Sequence, residues 1–111
     1  MSELGELQEK FASMVPGLIN RAIAAGYGVR IGDCFRDPRV HGKIGVKMGY
    51  GHAKSMHKLK LAIDLNLVIG GELVTDARGH DTLHEWWRSI GGAAMIPGDS
   101  NHYSLEYRGM R

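Results

Sequence analysis

Asp64 stands in the middle of residues 61–69, where Leu61, Ile63, Leu65, Leu67 and Ile69 alternate with Ala62, Asp64, Asn66 and Val68. A carboxylate placed there either faces solvent or has a partner, because burying it alone is costly. His57 lies seven residues earlier, and Asp99-Ser100-Asn101-His102 sets a second carboxylate three residues before another imidazole. Two imidazoles and a carboxylate are a normal ligand set for catalytic zinc, with the fourth position left to water. A further carboxylate beside that water, here Asp99, has the chemistry to take its proton and return it to a leaving amine. Six histidines in 111 residues also allow chance pairs, so spacing alone leaves the ligand set open.

A competing pair is His80 and His84, spaced i, i+4 as metal ligands on one helix can be. Thr82-Leu83-His84-Glu85 has the spacing of a capping box, which would leave His80 outside the helix. The glutamate of an H-E-x-x-H pattern is absent, so both histidines are expected at the surface. His41 and His52 read as polar loop residues. Cys34 is the only cysteine; it is expected to act as a small buried apolar residue, and a chain with no possible internal disulfide suits a reducing compartment.

Several elements must position these groups. Leu4, Leu7, Phe11, Met14, Leu18 and Ile23 recur near helical spacing, with Pro16 expected to kink the helix or split it in two. Residues 27–36 read as a strand with Val29 and Ile31 inward. Residues 37–54, with Pro38 and four glycines, read as a long irregular loop. Residues 61–69 are the clearest strand, and Gly70-Gly71 reads as a hairpin turn into a short strand at 72–75. A helix through Leu83, Trp86, Trp87 and Ile90 should end at Gly91-Gly92. A last strand over 102–107 would put His102, Ser104 and Glu106 on one face. The expected fold is α+β, a mostly antiparallel sheet with packed helices, in a single domain over 1–111.

The net charge of +2 hides an asymmetry. Residues 30–60 hold eight lysines and arginines against Asp33 and Asp37, a net of +6 that leaves −4 elsewhere. A locally basic surface attracts anionic partners, among them peptides with free carboxylates. No basic helix with interleaved aromatics suggests nucleic-acid readout. No apolar run suggests a signal peptide or membrane insertion.

Ser55-Met56-His57 followed by Asp64 resembles the S-x-H-(x)6-D motif of the zinc D-alanyl-D-alanine carboxypeptidase and L-alanyl-D-glutamate endopeptidase family. Asp99-Ser100-Asn101-His102 resembles its second motif, and Asp at that position is similar to the single-domain phage endolysins. The resemblance runs from about Gly28 to Tyr107. It implies Zn2+ held by His57, Asp64 and His102 in an open cleft on the sheet. It also implies Asp99 as catalytic base, Arg36 as the arginine that binds substrate and polarises the scissile carbonyl, and Ser55 as a polar neighbour of the substrate. Arg30 and Arg39 flank Arg36 as further candidates. One departure is Lys60, where many members carry Gly.

The implied activity is hydrolysis of an amide bond in peptidoglycan stem peptides, with a bacterial D-Ala-D-Ala carboxypeptidase or dipeptidase as the alternative. A non-catalytic zinc-containing binding module is the alternative of another class. A monomer made in the host cytoplasm, reaching the cell wall after membrane permeabilisation, fits the endolysin reading.

Overall fold

The computed structural model describes residues 2–111. Helix α1 spans Glu3–Ala24; the Ser2 side chain accepts from the Gly5 N–H at 3.0 Å, and Glu3 and Glu6 in the first turn complement the helix dipole. It is one helix, not two pieces, and Pro16 lies inside it. Phe11, Met14, Leu18 and Ala22 are buried on both sides of Pro16, so the packed stripe holds the helix together where one backbone bond is lost. The stripe continues through Ala22 because that residue keeps the four-residue step from Leu18. Ile23, expected inward, is exposed.

The sheet is built around β2, Ala62–Ile69, and every pairing is antiparallel. Strand β1, Gly28–Ile31, pairs with its outer half. Strand β3, Glu72–Leu73, follows the Gly70-Gly71 turn, whose two positive φ angles suit a tight hairpin. Strand β4, His102–Ser104, lies along the inner half, with Asp64 directly across from His102. The alternation expected for β2 holds: Leu61, Ile63, Leu65 and Leu67 are buried, while Asp64 and Asn66 are half-buried on the other side.

Three expectations about the edges are overturned. β1 stops at Ile31, which is exposed, although backbone bonding to β2 runs on, with the Gly32 N–H donating to the Asp64 carbonyl and the Asp64 N–H to the Asp33 carbonyl. Cys34 is exposed rather than buried, although its backbone carbonyl has a role described below. β4 ends at Ser104, and Glu106 is exposed beyond it.

The expected loop at 37–54 contains a short helix α2, Pro38–His41, capped by the Asp37 carboxylate. Helix α3 spans His80–Ser89. Its N-cap is Gly79, three residues before the expected cap at Thr82, with no side-chain cap bond. His80 and His84 are therefore not surface residues; they are 1 % and 4 % exposed. The capping-box spacing loses here to burial, since His80 bonds the Tyr103 hydroxyl at 2.7 Å beneath the helix. Trp87, on the same helix, is fully buried; its indole N–H donates to the Ser104 carbonyl at 2.8 Å, and its ring meets Phe11 and Tyr103 edge-on. A side chain at Gly92 would overlap the Trp87 ring, which explains a glycine just past the helix. Among the described residues, no helix is long and apolar enough to cross a membrane.

Candidate metal centre

His57 is carried by a short 3-10 turn, Met56–Leu59, that leads into β2. The Ser55 hydroxyl opens the turn by accepting from the His57 N–H at 3.2 Å. Lys60 closes it in the left-handed region at φ 59°, a conformation glycine adopts without strain. The Lys60 departure is thus accommodated by the backbone and leaves the turn intact.

The turn brings His57 Nε2 to 3.1 Å from Asp64 Oδ1, and β4 brings His102 Nδ1 to 3.5 Å from the same oxygen. The two ring nitrogens are 3.2 Å apart. Among the described residues, His57, Asp64 and His102 are the group of side chains that could hold a metal ion.

The donor set can be tested against hydrogen-bond chemistry. His57 Nδ1 lies 2.7 Å from the Cys34 carbonyl, which only accepts, so Nδ1 carries the ring proton. A neutral His57 therefore aims a lone pair from Nε2 at a carboxylate oxygen and at a second imidazole nitrogen. Such an arrangement requires a cation among the three atoms, either a proton or a metal ion. A backbone carbonyl fixing the far nitrogen of a histidine is also the usual outer support of a metal ligand. The residues therefore fit a metal. Burial pushes the Asp64 carboxyl up, but the facing His102 and His57 rings, whenever they carry a proton on the nitrogen toward it, outweigh burial and hold the group well below the usual carboxylate range.

Asp64 Oδ2 faces the other way, 3.8 Å from Arg36 Nη2. Arg36 is itself held: Nε donates to Asp33 at 3.0 Å, Nη1 donates to Ser55 Oγ at 3.2 Å, and the guanidinium lies 5.2 Å from the Tyr50 ring centre. A side chain at Gly51 would overlap that guanidinium. Of the three neighbouring arginines, Arg36 lines the cleft over the site. Arg30 is exposed on β1, and Arg39 forms a paired contact with Asp37.

The cleft measures about 660 Å³, and Arg36, Tyr50, Lys54, Ser55, His57, Asp99 and His102 are among its lining residues. Asp99 is about half exposed, with its carboxylate 3.9 Å from His102 Nδ1. Asp99 therefore stands at the edge of the donor cluster, where it lines the cleft. Ser55 is buried, and its hydroxyl already accepts from Arg36 and His57.

The residues behind the site carry less sequence information. Lys58 is only 5 % exposed, and its ammonium donates to the Lys43, Val46 and Ala53 carbonyls at 3.2, 2.6 and 3.1 Å. It ties the loop that walls the cleft to the turn that carries His57. His41 adds a second tie, with Nδ1 3.3 Å from the Tyr50 carbonyl and its ring edge-on to Tyr50. His52, exposed at the rim, accepts from the Lys54 N–H through Nδ1. No pattern in the sequence marks Lys58, Asp33 or Tyr50. His84 was visible only as half of a histidine pair.

Comparison with family models, curated proteins and solved structures finds no match to this chain.

Proposed function

We propose that this chain is a zinc peptidase that hydrolyses an amide bond in peptidoglycan stem peptides, with the L-alanyl-D-glutamate bond as its target, acting as a phage endolysin. The observation that carries the reading is the convergence of His57 Nε2, Asp64 Oδ1 and His102 Nδ1 at the floor of a cleft edged by Asp99 and Arg36. The two sequence motifs that resemble the zinc carboxypeptidase and endopeptidase family meet at that point, although they lie far apart in the chain.

A zinc ion held by these three groups would bring the pKa of a bound water to about 7 and polarise a carbonyl. The other roles belong to the chain. Asp99 takes the proton of the attacking water and returns it to the leaving amine. Arg36, fixed by Asp33 and Ser55, keeps N–H groups toward the cleft and Asp64, where they orient the carboxylate ligand and meet a substrate oxygen. Ser55 Oγ accepts two bonds and retains its own proton to donate to substrate. Lys54 and Arg36 give the cleft a positive rim suited to the free carboxylates of stem peptides.

The reading is tested by digesting purified peptidoglycan with zinc-loaded protein and identifying the new amino termini by mass spectrometry. New D-glutamate amino termini support the endopeptidase assignment. Release of D-alanine identifies a carboxypeptidase, and intact stem peptides overturn the activity. Asp99→Ala should keep one zinc per chain and lose turnover by at least about 100-fold, the usual scale of a proton-transfer group. Normal turnover in Asp99→Ala removes Asp99 from the role of base.

A further inference from the structure

Half of the large apolar side chains that stand exposed among the described residues fall between residues 40 and 50: Val40, Ile44, Val46, Met48 and Tyr50. Single exposed apolar residues are ordinary, whereas adjoining ones mark a contact surface. Val46 and Met48 do adjoin. A Cβ added at Gly42 would stand 3.1 Å from Met48 Cβ and 3.2 Å from Val46 Cγ1, so the two side chains meet over that glycine. They are 51 % and 52 % exposed, and Val40, two residues before Gly42 on α2, is 61 % exposed. Tyr50 belongs to the cleft; Val40, Val46 and Met48 do not line it.

The backbone of this stretch is held, so the side chains are presented rather than left loose. The buried Lys58 ammonium takes the Lys43, Val46 and Ala53 carbonyls, and the Gly45 N–H donates to the Ala53 carbonyl at 2.7 Å. The charge around the apolar centre has one sign. Lys43 and Lys47 are exposed, and neither forms an ion pair among the described residues. No Asp or Glu occurs between Asp37 and Asp64.

We infer that the surface of residues 40–48 docks on an anionic phospholipid surface: Val40, Val46 and Met48 enter the boundary between headgroups and acyl chains, and Lys43 and Lys47 meet lipid phosphates. The contact is peripheral and spans nothing. A hydrated polyanion would satisfy the lysines and leave the aliphatic side chains in water. A second copy paired face to face would set the lysines against their own counterparts. An anionic bilayer answers both halves of the surface. The inference is independent of the proposed activity, and it sets the mouth of the cleft, lined by Tyr50 and Lys54 of the same loop, beside the membrane.

The test sediments the full chain with vesicles of phosphatidylcholine alone and of equal parts phosphatidylcholine and phosphatidylglycerol, and separately with dextran sulfate beads. The variants are Lys43→Gln with Lys47→Gln, and Val46→Ser with Met48→Ser, each checked by melting temperature. Wild type should bind the anionic vesicles at least about 10-fold more tightly than the neutral ones. Each double variant should lose about 10-fold in affinity for anionic vesicles at unchanged melting temperature. Added salt should close the gap between wild type and the lysine variant and leave the gap to the serine variant, since only the first is screened. Wild type that stays in solution with anionic vesicles, or that binds neutral vesicles equally well, overturns the inference. Full vesicle binding by the serine variant, with lysine-dependent capture on dextran sulfate, identifies a polyanion site and overturns lipid docking. Should the serine variant melt early, Val40→Ser on α2 replaces it, and unchanged vesicle binding there overturns the apolar contact.

Discussion

The two imidazoles of the candidate metal centre are supported in opposite ways. His57 sits in a turn whose cap, Ser55, is two residues away. The loop behind it is drawn in by Lys58, the next residue in the chain, and its outer nitrogen is met by a backbone carbonyl. His102 sits on a strand, and its surroundings come from α3, where His84 and His80 pack and bond around Tyr103. The first support is mostly backbone and local; the second is made of side chains from a distant element. Backbone carbonyls cannot be mutated away or change protonation near neutral pH, whereas imidazoles can do both. The His57 side should therefore hold its geometry over a wide pH range, while the His102 side should soften in acid.

The largest effect that tests this contrast removes a ligand. Under the proposed peptidase reading, His57→Ala should abolish stoichiometric zinc binding and lower peptidoglycan hydrolysis by more than about 1000-fold, since no proton-transfer group can substitute for the metal. Metal analysis and turnover on the same preparation check it; retained zinc at one per chain removes His57 from the ligand set.

Next in size is the local side. Lys58→Met removes one ammonium from three buried carbonyls and should cost on the order of 3–4 kcal/mol of stability. The loop over 43–53 should become accessible to protease before the rest of the protein unfolds. Denaturant melts and limited proteolysis measure both, and a loop as resistant as in wild type would show that Lys58 is not its anchor.

The distant side is probed by pH. Burial, with the neighbouring His84 adding to it, pushes His80 down to about 4 from an ordinary 6.5, and the Asp81 and Asp76 carboxylates oppose the shift only in part. Between those values the unfolded chain binds the proton and the folded chain does not, so stability is present above about pH 6.5 and drains away as pH falls toward 4. The loss should reach on the order of 2–3 kcal/mol. His84 is shifted in the same direction by burial and steepens the fall. His80→Gln should flatten the difference in melting temperature between pH 7 and pH 4.5 relative to wild type. An unchanged slope would assign the acid sensitivity to other groups.

The smallest effect lies on the His57 side again. Lys60→Gly relieves a left-handed residue but adds chain entropy and gives up the contact of Lys60 with the Phe35 ring at 5.2 Å. The net change should stay within about 1 kcal/mol, with zinc affinity unaltered. A loss of zinc binding in Lys60→Gly would mean that the lysine side chain, and not only the turn backbone, places His57.

The strand at 62–69, its two faces, the Gly70-Gly71 turn and the apolar stripe of the first helix were legible because each depends on a repeat of two or of three to four residues along the chain. His57, Asp64 and His102 were grouped by two motif resemblances, because their spacing alone left the ligand set open; the fold brings their donor atoms together. The sequence alone did not determine what covers each face. His80 and His84 read as surface residues because a capping-box spacing is a local feature, whereas their burial depends on Tyr103, about twenty residues further on. Cys34 read as buried by residue type, yet its side chain is exposed and it is its carbonyl that meets His57. The choice among Arg30, Arg36 and Arg39 was open until the segment after β1 placed Arg36 beside Asp33, Ser55 and Asp64. Lys58 resembles any exposed lysine until the loop before it closes over its ammonium. Periodicity along a chain sets which way a side chain points; only the packed structure sets which groups it meets, because hydrogen bonds and burial join residues that are distant in sequence.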